Sequence, residues 1–274
     1  MVAVYSPVDM GADGSIGAIE FLKFRRAAFR GARLMEESSL SIKRGFVWRL
    51  ALLLAAVAMG AVLWRSPMLA AEQAVVLPAP AIDDAKAPGA AQTAVLSGGC
   101  FWGVQGVFEH VRGVERVIAG YAGGEKATAS YGTVSSGDTG HAESVEITFD
   151  PAVISYGQLL QIAFSVVHDP TQLDRQGPDV GTQYRSSIFY ADAHQKRIAQ
   201  AYIAQLERAH VFARPIVTRV DELHGFYPAE DYHQDYLVHN PTQPYIAMYD
   251  LPKIDNFKKT FPDLYRGQPV LARN

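Results

Sequence analysis

Residues 94–111 read AVLSGGCFWGVQGVFEHV, and the change of period inside this stretch decides the fold. Residues 94–97 are a short apolar run that stops at Gly98-Gly99, a pair suited to a tight turn. From Phe101 onward the apolar residues fall at 101, 104, 107, 108 and 111, the spacing of one helix face. Strand, glycine turn and helix follow one another, with Cys100 at the junction. A thiol placed there meets the unpaired N–H groups and positive dipole end of the helix, which favour the thiolate.

Outward from this unit the same two periods recur. Residues 115–121 and 144–150 read as strands, the second alternating as SVEITFD. Residues 156–167 have helical spacing, 187–190 form a strand, and 193–210 make a long amphipathic helix. A last strand at 215–223 and a short helix at 230–238 follow. Residues 240–274, rich in Pro and Tyr, read as an irregular wrap over the core. The order β-α-β-β-α-β, then α-β, predicts an α+β fold: a two-layer sandwich with a mixed sheet on a ferredoxin-like core.

With 49% hydrophobic and 19% charged residues, the chain has the makings of a packed core rather than of a disordered segment. Its 274 residues allow one or two domains at ~150 residues each. A net charge of -3 argues against a nucleic-acid binder, which carries a basic face. The single cysteine excludes an intrachain disulfide and any all-Cys metal site. A working thiol must therefore finish its cycle with a sulfur from another molecule.

Charge is unevenly divided. Residues 1–71 hold nine basic and five acidic side chains, whereas 72–274 hold 16 and 23, together with all eight histidines. Residues 50–64, LALLLAAVAMGAVLW, run uncharged between Arg49 and Arg65. That length suits a signal peptide, or a membrane anchor if the flanking residues are included. The basic excess before the run predicts a cytoplasmic N-terminal segment. Residues 1–71 are thus expected to be a cytoplasmic segment with a signal peptide or anchor, 72–92 a flexible Ala/Pro-rich linker, and 93–274 the folded domain. The expected location is the periplasm, free or tethered to the inner membrane; a cytoplasmic chain is the alternative.

Three segments of the folded domain could carry chemistry. Cys100 lies between Gly99 and Gly103, with Phe101 and Trp102 beside it. Lipid attachment is rejected, because Leu-Ser-Gly-Gly-Cys has one residue too many between Leu and Cys. Residues 136–143, SGDTGHAE, form a Gly-rich loop that delivers Glu143 to a strand start, where a buried general acid can be held. His141-Ala142-Glu143 is also half of a zinc-deaminase signature, but its cysteine half is missing. His233, Asp235 and His239 match no standard metal spacing, so no metal is expected. Asp179 and residues 181–186, GTQYRS, make a third polar loop, and Tyr131 stands twelve residues before Glu143. Phosphate-binding and serine-nucleophile motifs are absent from the sequence.

Taken in order, GCFWG (99–103), GYAGG (120–124), SGDTGHAE (136–143), HDP (168–170), QG (176–177), GTQYRS (181–186) and AEDYHQ (229–234) resemble the peptide methionine sulfoxide reductases of the A type, over residues 93–242. The resemblance implies that Cys100 attacks the sulfoxide sulfur and becomes a sulfenic acid as methionine leaves. It gives Phe101 and Trp102 the pocket for the methyl group and Glu143 the proton for the sulfoxide oxygen. The hydroxyls of Tyr131 and Tyr184 help hold that oxygen, and Asp179 assists through water or neighbouring groups. Only the S epimer is expected to react. The chemistry fits, since a sulfoxide is a poor electrophile until its oxygen is protonated, and a Glu walled by aromatics keeps its proton near pH 7.

Two departures from the family pattern stand out. Residues 240–274 contain no resolving cysteine, and the loop between Gly124 and Tyr131 (EKATAS) is short. The expected needs are therefore no cofactor beyond an external thiol reductant, thioredoxin-like, glutaredoxin-like or a small thiol. The expected partners are oxidised proteins or peptides, the thiol donor and, through the leader, the membrane; the folded domain is expected to be a monomer. An oxidant sensor that merely oxidises Cys100 is the alternative, but it would need neither an acid nor a methyl pocket.

Overall fold

The computed structural model describes residues 73–272; the leader expected around residues 50–64 lies outside them. Strand β1 (Gln92–Ser97) leads into helix α1 (Phe101–Glu109), followed by β2 (Val114–Ala122), the single turn α2 (Tyr131–Val134) and β3 (Ala142–Phe149). Helix α3 (Tyr156–Ile162) widens into a π-helical turn (Ala163–Val167) and is followed by a small hairpin, β4 (Arg175–Gln176) and β5 (Asp179–Val180). Then come β6 (Ser187–Tyr190), α4 (Ala193–Arg208), β7 (Arg219–Glu222) and β8 (Phe226–Pro228). The chain closes with α5 (Tyr236–His239), a second π-helical turn (Ile246–Asp250) and α6 (Leu251–Thr260).

The main sheet has the order β7-β6-β1-β3-β2-β8. Its neighbours run antiparallel except β6 and β7, which are parallel, so the sheet is mixed. The inner four strands, β6-β1-β3-β2, have the ferredoxin-like order that β-α-β-β-α-β predicts. Alternation assigns the faces. Ala94 and Leu96 of β1, with Val145, Ile147 and Phe149 of β3, join the main core beneath the helices. Val95 points the other way, into a small second cluster with Ala122, Ala142 and Phe189.

Local chemistry fixes the helix ends. Ser155 and Gln158 form a capping box at the start of α3, each side chain bonding the other's backbone N–H. The Asp192 carboxylate accepts the first free amides of α4, from His194 and Gln195, both at 2.8 Å. Cys100 caps α1 without a side-chain hydrogen bond, which leaves the thiol for other use.

The structure corrects four expectations. Residues 73–91 have no regular secondary structure but do not hang free. Leu77 is buried, Val75 N–H donates to the Ser165 carbonyl at 2.9 Å, and the Tyr202 hydroxyl donates to the Pro78 carbonyl at 2.9 Å. Asp83 also accepts from Gly157 N–H at the start of α3 (2.8 Å), so this segment is a docked strap. Residues 240–274 are not irregular throughout, because Ile246–Thr260 is continuous π and α helix whose Phe257 is wholly buried. The expected strand at 215–223 shrinks to β7, and the helix expected at 230–238 splits into a 3-10 turn (Asp231–His233) and α5.

Candidate active site

Cys100 sits where β1 hands over to α1, behind a turn that only glycine can make. Gly99 has φ +93°, and a Cβ there would meet Gln176 Cγ at 2.7 Å. Cys100 itself is buried. Burial first, then the charges of Glu143 and Asp250, push its thiol well above the ordinary value, and the Trp102 N–H offsets only part of this. The helix dipole therefore acts in the expected direction but does not win, and the resting group is a thiol.

Glu143 reaches the same place from the sheet. It pairs with Tyr121 across β2 and β3 and lies on the face of β3 that carries Val145, Ile147 and Phe149. Its side chain is therefore directed inward and is 3% exposed. Its Oε2 accepts the Phe101 N–H at 3.0 Å, one of the amides that the first turn of α1 leaves unpaired. Burial pushes its carboxyl up to about 8; the Phe101 N–H opposes this and the charges of Asp179 and Asp250 add to it.

The other expected residues converge here. Tyr131 and Tyr184 both feel the charges of Glu143 and Cys100, and burial first, then those charges, raises both hydroxyls, which stay neutral donors. Asp179, at the start of β5, accepts a hydrogen bond from the Tyr245 hydroxyl. Burial raises its carboxyl, against that bond and the charge of Lys253. Phe101 is wholly buried, 5.9 Å from the Tyr121 ring and 5.1 Å from His233. Trp102 is half-buried, stacked on Tyr236 at 3.9 Å, and donates its indole N–H to His233 Nδ1 at 3.1 Å.

That last bond explains why His233 is not poised as a metal ligand. Among the described residues no group of three or more His, Cys, Asp and Glu gathers as a metal site. Within the AEDYHQ segment, Glu230 accepts both Tyr131 N–H and the Tyr121 hydroxyl at 2.9 Å, so the segment fixes the rings of the site.

Sequence reasoning missed a further set: Tyr245, Asp250 and Lys253, carried by the C-terminal helical segment. Asp250 and Lys253 form a buried ion pair at 3.1 Å, with Asp250 wholly and Lys253 almost wholly out of solvent. Their signal was a weak one, charged residues three apart with Ile246, Ile254 and Phe257 at helical spacing.

A buried thiol and a carboxyl that holds its proton at neutral pH, tied through adjacent residues, define a class of enzymes that pair one cysteine with one acid. The comparisons say which. The family model for peptide methionine sulfoxide reductase matches residues 92–264. Peptide methionine sulfoxide reductase MsrA 2 of Mesorhizobium japonicum is 59% identical over 191 residues, 70% of this chain and 97% of the relative. Its namesake in Synechocystis is 54% identical, over 65% of this chain and 83% of the relative. A crystal structure of Mxr1 from Saccharomyces cerevisiae in reduced form superposes with a TM-score of 0.52 at 30% identity, over 62% of this chain and 96% of that one. The chain belongs to the peptide methionine sulfoxide reductase family, A type, and is an oxidoreductase.

Proposed function

We propose that the chain reduces the S epimer of methionine sulfoxide, free or in proteins, to methionine through a sulfenic acid on Cys100. The observation that carries the reading is Glu143, an acid held protonated at neutral pH and bonded to the amide next to Cys100. With its carboxyl pushed up to about 8, Glu143 is mostly protonated at pH 7.

The step then balances without an outside proton. Glu143 gives its proton to the sulfoxide oxygen while the Cys100 sulfur attacks the sulfoxide sulfur, and the carboxylate left behind takes the thiol proton. Oxygen ends on Cys100 as the sulfenic acid and methionine leaves, the cysteine sulfur oxidised by two electrons and the sulfoxide reduced by two. Tyr131 and Tyr184 donate to the oxygen as its charge grows, which a neutral phenol does well. Phe101 and Trp102 wall the methyl group, and Asp179, braced by Tyr245, assists through water or neighbouring groups.

No second cysteine exists in the chain to close the cycle. One thiol of an external donor, thioredoxin-like, glutaredoxin-like or small, displaces water from the sulfenic acid; a second releases Cys100 and leaves the donor as a disulfide. The basic, apolar leader supports a periplasmic location for residues 93–274, free or tethered to the inner membrane.

The test mixes wild type and Cys100→Ser with resolved S and R methionine sulfoxide in the absence of reductant. About one methionine per enzyme from the S form only, with one oxygen gained by the wild type alone, is expected for a one-cysteine cycle. Release from neither epimer, with Cys100 still oxidised by peroxide, would replace the reductase by an oxidant sensor.

A further inference from the structure

The buried ion pair Asp250–Lys253 costs more to keep than packing alone can justify. Two charges taken out of water are seldom more stabilising than apolar side chains of the same volume. Here one carboxylate oxygen, Asp250 Oδ2, also has no hydrogen-bond partner. A pair retained on such terms invites a search for what it acts on.

Its position gives the answer. Gly103 lies one turn beyond Cys100 on α1, and a Cβ at Gly103 would come within 2.1 Å of Asp250 Oδ1 and 3.0 Å of Lys253 Nζ. Both charged atoms thus press on the backbone of the turn that presents the thiol. The titratable groups around them come from every neighbouring element: Glu143 from β3, Asp179 from β5, His168 after the first π-helical turn, and Tyr245 just before the second. Tyr131 and Tyr184 face the thiol from their own turns. Three carboxyls surround one thiol, and Lys253 brings positive charge among them.

We infer that Asp250 and Lys253 are positioning residues: held against Gly103, the pair sets the field in which Cys100 ionises and leaves Glu143 as the carboxyl that carries the proton. The directions of titration agree. Burial pushes Asp250 up and Lys253 pulls it back, and Lys253 pulls on Asp179 in the same sense. Both carboxyls still stand above their ordinary value, and their charges add to the burial that keeps the proton on Glu143. Neither member of the pair needs to touch substrate.

This role rests on the reductase reading for its purpose but not for its measurement. The experiment takes the full chain with Asp250→Asn, Lys253→Met, Lys253→Arg and the Asp250→Asn/Lys253→Met double variant. Near-ultraviolet circular dichroism checks folding, and the rate of Cys100 alkylation by iodoacetamide is followed against pH. Asp250→Asn removes a negative charge that raises the thiol and keeps the Lys253 cation, so the alkylation profile is expected about one unit lower. Lys253→Met leaves a carboxylate that is ionised where the thiol titrates, so its profile moves up. Lys253→Arg stays near wild type, and the double variant returns towards it.

Profiles that stay in place, or that move the same way in both single variants, overturn the inference. Should Lys253→Met fail to fold, the downward shift in Asp250→Asn and the unmoved Lys253→Arg decide it alone. Methionine release without reductant is measured on the same proteins. Shifts as expected with no methionine from wild type would sink the reductase reading and leave the field on the thiol intact. Methionine from wild type without the shifts would sink only the present inference.

Discussion

On one side of the site Cys100 and Glu143 stand on a strand, a glycine turn and the first turn of a helix, all tied into the central ladder. On the other side Glu230, His233, Tyr245, Asp250 and Lys253 come from 3-10 and π-helical turns that run into a ten-residue helix. The first wall holds the groups proposed to react. The second wall packs against them through ring contacts and hydrogen bonds and carries the buried ion pair. Reacting atoms tolerate little displacement, so they belong on the part of the fold whose geometry the sheet enforces. Groups that act through field or contact can sit on less regular backbone.

The sharpest way to break this division is Glu143→Gln. It keeps a side chain that can accept the Phe101 N–H but removes the proton, so methionine release without reductant should fall about 10²–10⁴-fold with folding unchanged. A variant that keeps most of its rate would move the acid to Asp179 on β5 or to Asp250 of the second wall, which also carry raised carboxyls.

A change of similar thermodynamic size probes the second wall. Phe257 is wholly buried and packs against the rings of Phe261 and Tyr265, so Phe257→Ala should cost about 3–5 kcal/mol. Urea unfolding followed by both far- and near-ultraviolet circular dichroism will tell whether the walls share one transition. Two separated transitions would make the C-terminal helical segment a unit of its own.

Acidity separates the walls more gently. Methionine release should fall about tenfold per unit above pH 8, as Glu143 loses its proton, and Glu143→Gln should remove that decline. The sign for stability follows from the same shift. The folded-state carboxyl lies above its ordinary value, so its contribution is complete below that ordinary value and is lost as pH rises through about 8. A release profile that rises through pH 8 would assign the proton to another group.

The first wall was legible because its residues obey local rules. Positions 143, 145, 147 and 149 share a strand face, so a carboxyl in that row must be turned towards the core. Gly98-Gly99 announces the turn before Cys100, and the periods on either side name strand and helix. The second wall obeys rules that composition disguises. Pro252 looks like a breaker but stands where the π-helical turn passes into α6, so the helical segment continues through it. The strap at 73–91 is held largely by its own backbone carbonyls and Asp83, and carbonyl acceptors leave no mark on an Ala/Pro-rich sequence. The dipole argument for a thiolate had the right sign but could not include burial, which a linear sequence does not display.

The smallest expected effect lies on the seam between the walls. Tyr121 belongs to β2, yet its hydroxyl donates to Glu230 Oε2, and Tyr131 N–H donates to the other oxygen of the same carboxylate. Burial works to raise Glu230, but these bonds, with its own backbone N–H and the nearby His233, hold it below the ordinary carboxylate value. Tyr121→Phe keeps the ring beside Phe101 and removes only the donor, so it should cost about 1.5 kcal/mol at neutral pH by urea unfolding. Because the folded-state value is depressed, that stabilisation is present above the ordinary Glu value and disappears as pH falls through the lower, folded one. The difference between Tyr121→Phe and wild type should therefore close in acid. A difference that persists there would mean that the hydroxyl serves packing, and that the walls are joined by apolar contact rather than by this carboxylate.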